Sequence, residues 1–176
     1  YRADNQRNSA SQANVPRVIQ QCWQSKLPDN VQPIPPITAG GLVFHSGSDG
    51  TVRSFNAQDG ELCWKLYTGG RILFPPTVAD GRLLVGSGDG WIYAVEATTG
   101  RELWRFRAAP AERKIIVHGR LVSTWPVGSG VLVHEGVVYA AAGIASHDGT
   151  HVYALDVATG ALRWQNNTSG QLGGPE

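Results

Sequence analysis

Residues 75–104 read PPTVADGRLLVGSGDGWIYAVEATTGRELW. Three breaks divide this stretch, at Asp80-Gly81, Asp89-Gly90 and Thr99-Gly100. Each suits a tight hairpin, because glycine accepts the positive φ such turns demand. The spacing predicts four short strands: Thr77–Ala79, Arg82–Gly86, Trp91–Glu96 and Glu102–Arg107. Along the third, Ile92, Ala94 and Glu96 point to one side and Trp91, Tyr93 and Val95 to the other. A sheet apolar on both sides must bury both against neighbours.

The neighbours are copies of the same unit. Residues 35–64, PPITAGGLVFHSGSDGTVRSFNAQDGELCW, lie 40 positions earlier without a gap. Pro35-Pro36, Asp49-Gly50, Gly60 and Trp64 match Pro75-Pro76, Asp89-Gly90, Gly100 and Trp104. A third copy runs from Val131 to Trp164, anchored by Asp148-Gly149, Gly160 and Trp164. Four antiparallel strands in a unit of about 40 residues is the pattern of a β-propeller blade. The expected fold is all-β: a partial propeller of three four-stranded blades plus one extra outer strand. A large ring on each outermost strand is expected to cover a hairpin of the adjacent blade. Trp23, Trp64, Trp104 and Trp164, with Gly60, Gly100 and Gly160, are the docking candidates.

Composition agrees. The 176 residues include 22 Gly and 10 Pro, and the formal charge is +1. That balance offers no global attraction for nucleic acid or a membrane surface. No apolar run reaches the roughly 20 residues of a spanning helix. Cys22 and Cys63 both precede a tryptophan, one repeat apart, so they read as equivalent strand positions rather than a bridge. The chain opens on Tyr1, which is expected of a processed or excised segment.

The line Asp148-Gly149, Val152-Tyr153-Ala154-Leu155-Asp156, Thr159-Gly160, Trp164 resembles the repeat of the pyrroloquinoline-quinone-like (PQQ-like) propeller family. WD repeats have a similar period but end in Trp-Asp, a dipeptide absent here. The opening Tyr1-Arg2-Ala3-Asp4 with Arg7 is similar to the entry segment before the first blade in secreted bacterial members. The resemblance implies a bacterial periplasmic or extracellular location.

Laid against the repeat, the chain divides into an extension (1–17), a lone outermost strand with linker (18–34), a first blade (35–74) and a second (75–110). An inserted hairpin (111–130) and a third blade with the start of the next connection (131–176) follow. Trp23 in Gln21-Cys22-Trp23 matches Cys63-Trp64, and 168–175 parallels 68–75. Three blades and one strand do not close a ring of four to eight. The expected partners are the remaining blades, in a longer parent chain or on a second polypeptide; a ring-completing homo-oligomer is a third arrangement.

Two stretches exceed the repeat. Trp104 to Gly136 spans 32 positions where Trp64 to Gly81 spans 17, and Gly136 to Tyr153 spans 17 where Gly81 to Tyr93 spans 12. Blade-to-blade connections and second-to-third-strand hairpins share one face of a propeller, so both elaborations are expected together there. Residues 113–127 read as a hairpin turning near His118-Gly119, and 101–120 holds six basic and two acidic residues. Arg113, Lys114, His118, Arg120, Trp125 and His147 are the candidates for a basic, aromatic-edged rim serving an anionic ligand or a protein partner. The competing reading is a solvated hairpin with a packed Trp125. His147 and His151 flank Asp148, and three Asp-Gly pairs invite a calcium reading, but the spaced ligands of an EF-hand loop are missing. Hairpin-turn chemistry explains both.

Two functions stay open. One is a non-catalytic extracytoplasmic binding or protein-interaction scaffold; relatives of that kind include the propeller lipoprotein of the outer-membrane β-barrel assembly machine. The other is a segment of a PQQ- and calcium-dependent alcohol or sugar dehydrogenase. There the resemblance implies a quinone in the central channel, calcium held by carboxylate and amide oxygens, and an aspartate base. The adjacent-cysteine disulfide and the haem motif Cys-x-x-Cys-His are both missing. No cofactor is evident in the residues themselves, and the scaffold is the favoured expectation.

Overall fold

The computed structural model describes residues 17–117, 119–144 and 148–167. They form strands and turns with no helix. Three four-stranded antiparallel sheets follow in chain order. The first is β1 (Ile37–Ala39), β2 (Leu42–Ser46), β3 (Thr51–Asn56) and β4 (Leu62–Tyr67). The second is β5 (Thr77–Ala79), β6 (Arg82–Gly86), β7 (Trp91–Glu96) and β8 (Glu102–Arg107), the bounds the repeat predicts. A two-stranded hairpin, β9 (Lys114–Val117) and β10 (Arg120–Ser123), precedes the third sheet. That sheet comprises β11 (Leu132–His134), β12 (Val137–Ala142), β13 (His151–Asp156) and β14 (Leu162–Asn166).

The repeat in sequence is a repeat in geometry down to its irregularities. Each sheet has a register shift between its third and fourth strands, at Ser54/Phe55, Ala94/Val95 and Ala154/Leu155. A bulge at one position in every blade sharpens the local twist that lets successive sheets stack face to face.

Blade two supplies a separate core on each face. Leu83, Val85, Tyr93 and Val95 pack with Phe44, Val52 and Ile72 of the first blade and its outgoing connection. Leu84, Ile92 and Ala94 pack with Val138, Ala140 and Leu155 of the third. The period-two alternation of β6 and β7 produces this division.

Tryptophans fasten one blade to the next. The Trp64 indole N–H donates to the Ala97 carbonyl at 3.1 Å, and that of Trp104 to the Val157 carbonyl at 3.1 Å. Each ring lies flat over a glycine: a Cβ at Gly100 or Gly160 would stand 2.6 Å from ring carbons. Those glycines also hold φ near +72°, closing the turn between the third and fourth strands. Trp23 treats Gly60 and Ala57 identically, with its N–H 2.9 Å from the Ala57 carbonyl and the Gly60 Cβ position 2.6 Å from its ring.

One expectation needs correcting in detail. The segment around Trp23 occupies the place of an outermost strand without being one: residues 19–28 carry no strand assignment. A strand is defined by ladder bonds, and among the described residues no sheet lies beside this segment to supply them. Trp23 is held instead by its ring and its single N–H. Further along, Ile34 N–H donates to the Ser46 carbonyl and Ser48 N–H to the Gln32 carbonyl, both at 3.1 Å. These bonds tie the linker to the end of β2.

Candidate functional site on the hairpin face

The Asp-Gly turns between second and third strands are polar fasteners. Asp89 accepts the Trp91 N–H at 3.0 Å, the Gly69 N–H at 2.7 Å and the Tyr93 hydroxyl at 2.6 Å. Gly69 belongs to the connection arriving from blade one, so this carboxylate joins two blades. Burial, with the Asp89 carboxylate beside it, pushes the Tyr93 phenol well above its ordinary value. Asp49 binds Arg53 at 2.5 Å and accepts the Thr51 N–H at 3.2 Å. Burial alone raises the Asp49 carboxyl, but Arg53 and the Thr51 N–H outweigh it, and the group ends below its usual range.

Asp148 serves the third blade differently. Its carboxylate pairs with the Arg113 guanidinium, and its carbonyl accepts the Trp125 indole N–H at 2.7 Å. Arg113 lies over the Trp125 ring, 4.8 Å from its centroid, and its Nε donates to the Thr124 hydroxyl at 3.3 Å. The two elaborations of the repeat therefore meet, as expected of one face. Every turn carboxylate is already engaged by N–H, O–H or guanidinium donors. The donor set at these turns does not fit calcium, which takes six to eight oxygen ligands.

The candidate rim separates under this geometry. Trp125 is 9% exposed and belongs to the core between blades two and three, so the packed reading describes it. Arg113 is turned onto Trp125 and Asp148. Lys114 is exposed and 3.5 Å from Glu112. Arg120 extends across the face to blade one, where its Nη1 donates to the Ser48 carbonyl at 3.3 Å. His118 and His147 lie outside the described residues. The basic run loses most of its free charge: Arg101 pairs with Glu96, Arg105 with Glu102, Arg113 with Asp148 and Lys114 with Glu112. Among the described residues Arg107 and Arg120 have no carboxylate partner.

What the hairpin does present is apolar. Ile116 and Leu121 face each other across the strand pair and are 76% and 66% exposed, and Ile115 is 46% exposed. Its root is fixed by the Ser123 N–H to the Gly88 carbonyl, 3.1 Å, and the Thr124 N–H to the Arg113 carbonyl, 3.0 Å. The hairpin thus reaches the middle-turn regions of all three blades, through Ser48, Gly88 and Asp148. Composition gave Ile115, Ile116 and Leu121 no prominence beside the charges around them. The available signal was three aliphatic residues in a segment longer than the repeat requires.

Stacked four-stranded sheets, each fastened to the next by an outer-strand tryptophan on a turn glycine, define a run of β-propeller blades with an elaborated hairpin face. The family model described as outer membrane protein assembly factor BamB matches residues 20–176, and the chain belongs to this PQQ-like β-propeller family. An outer membrane protein assembly factor BamB from Burkholderia pseudomallei is 29% identical over 161 residues, covering 85% of this chain and 35% of that protein. A quinohemoprotein alcohol dehydrogenase of Pseudomonas putida is 25% identical over 149 residues, covering 74% of this chain and 21% of the enzyme. The solved structure of the Pseudomonas putida HK5 enzyme superposes with a TM-score of 0.62 at 25% identity, over 77% of this chain and 20% of that one. The chain spans about a third or less of these relatives.

Proposed function

We propose that the chain is a non-catalytic PQQ-like propeller segment acting in the periplasm or outside the cell as a protein-interaction scaffold, with further blades completing the ring. The observation that carries this reading is the hairpin β9–β10. A solvent-facing pair such as Ile116 and Leu121 adds nothing to the core, and two strands alone have marginal stability in water. Yet the hairpin is held to three blades, at its root by backbone hydrogen bonds, an ion pair and a buried tryptophan, and near its turn by Arg120 on the Ser48 carbonyl. A rigid mount under an apolar tip suits a protein partner with complementary apolar side chains. Family membership supports the same direction, since the matching family model describes an assembly factor.

The test is a photo-crosslinking amino acid at position 116 in the full-length protein, expressed in its own host. A discrete adduct with another envelope protein is expected, lost when Ile116 and Leu121 are both changed to Ser. A propeller that folds normally and yields no adduct would exclude the hairpin as the docking element.

The dehydrogenase alternative rests on the likeness to the quinohemoprotein enzyme. Reconstitution of the full-length protein with PQQ and Ca²⁺, followed by a dye-linked alcohol assay, separates the two. No turnover is expected; alcohol-dependent dye reduction would replace the scaffold reading.

A further inference from the structure

Beneath the hairpin lies a cleft of about 200 Å³. Ser48 and Asp49 stand on the blade-one side, Thr68 to Arg71 form the connection to blade two, and Gly88 belongs to the blade-two turn. Arg120, Leu121 and Val122 close it from the hairpin. The connection and the blade-two turn pack too closely for side chains here: a Cβ on Gly70 would meet the Asp89 nitrogen at 2.4 Å, and one on Gly88 would meet the Arg71 carbonyl at 3.0 Å.

Two arginines from distant parts of the chain line this cleft. Arg71 is pinned at its backbone, whose carbonyl accepts the Gly88 N–H at 2.8 Å. Its Nε is buried and has no hydrogen-bond acceptor among the described residues. Arg120 uses Nη1 on the Ser48 carbonyl, and a guanidinium has five donors. Neither arginine has a carboxylate partner among the described residues, whereas Asp49 on the same wall is neutralised by Arg53. The cleft therefore has an excess of positive charge among its lining residues and small dimensions. Planar guanidinium forks match the oxygens of carboxylate and phosphate.

We propose that this cleft is an oxyanion site, with Arg71 and Arg120 as its cations and a carboxylate or phosphate group as its ligand. The volume admits such a group and a few attached atoms, below the size of usual small-molecule pockets. The proposal is independent of the scaffold reading, because it needs no partner on the hairpin tip.

The experiment titrates the ¹⁵N-labelled chain with inorganic phosphate in one arm and N-acetylglutamate in the other, at constant ionic strength. The readout is the Arg71 Nε–H resonance. At least one anion is expected to shift it saturably, and the arm that does so at lower concentration identifies the oxyanion class. Arg71→Gln removes the reporter, so its titration is followed at the Arg120 Nε–H and at the Gly70 and Gly88 amides. Arg71→Gln and Arg120→Gln should each weaken binding at least tenfold, while Arg101→Gln, on an exposed pair with Glu96, should leave it unchanged. Near-UV circular dichroism of the tryptophans verifies that each variant is folded. No saturable shift from either anion, or equal binding by the folded Arg71→Gln variant, overturns the site.

Discussion

At the scale of single residues, the most informative comparison is between tryptophans in equivalent positions. Trp104 covers Gly160 and donates to the Val157 carbonyl, whereas Trp164, one repeat later, is 48% exposed and touches Tyr139 of its own sheet. Removing the first ring opens a gap between blades and strands a carbonyl, so Trp104→Ala should cost about 3–5 kcal/mol in urea unfolding. Trp164→Ala should cost about 1 kcal/mol or less in this chain, as for a surface position. Equal losses at the two sites would mean that docking contributes nothing beyond the ring's own sheet. A second residue-scale prediction concerns Asp156. Its carboxylate binds Arg163 at 2.7 Å, the Thr159 hydroxyl and N–H at 3.0 Å each, and the Ala158 N–H at 3.0 Å. Chiefly through Arg163, these partners pull its pKa down to about 2 from an ordinary 3.8. A folded value below the unfolded one means stability is present above pH 4 and is lost as pH falls from about 4 toward 2. Asp156→Asn should flatten that part of the acid unfolding curve, an effect kept small because the ion pair with Arg163 is partly open to solvent. An unchanged acid limb would show that the turn does not couple to folding.

At the scale of elements, the three blades were legible and the attachment of the insertion was not. Asp-Gly and Thr-Gly punctuation marks where a strand must reverse, and the chain obeys it locally; hence β5 to β8 appear where residues 75–107 place them. The hairpin β9–β10 was legible for the same reason, its ends pairing Val117 with Arg120. Which side chains face outward was not. Arg113 meets Asp148 35 positions away and Arg120 meets Ser48 72 positions away. No local pattern encodes such contacts, so charges that looked free in sequence are largely spent within the fold. Trp125 shows the same limit from the apolar side: a tryptophan beside a basic run suits a rim or a core equally until its neighbours are known. The attachment makes a prediction of its own. Arg113→Ala removes the ring contact and the ion pair together, and should cost about 1 kcal/mol. It should also shift tryptophan emission to the red as water reaches Trp125. Arg113→Lys should restore little, because an ammonium lacks the plane that stacks and the fork that grips. Full recovery in the lysine variant would reduce the contact to simple charge.

At the scale of the whole molecule, stability should behave as a line of nearest-neighbour interfaces rather than one shared core. Leu83 and Leu84 are adjacent, fully buried and on the same strand, yet they serve different interfaces. Leu83 packs toward Phe44, Val52 and Ile72, and Leu84 toward Val138, Ala140 and Leu155. Truncating either to Ala should cost about 2–5 kcal/mol, so global stability will hardly distinguish them. Their local effects should diverge. Leu84→Ala weakens the interface between blades two and three, and amide exchange should accelerate most in β12 and β13. Leu83→Ala weakens the opposite interface, and the acceleration should fall on β2 and β3. Native-state hydrogen exchange under mild denaturant resolves the two patterns, because sub-global openings then precede complete unfolding. If both variants loosened all three blades equally, the sheets would be one cooperative unit, and the two-sided alternation of β6 and β7 would not divide the molecule energetically. Divergent patterns would locate the chain's cooperativity in the blade pair, with the second blade belonging to both.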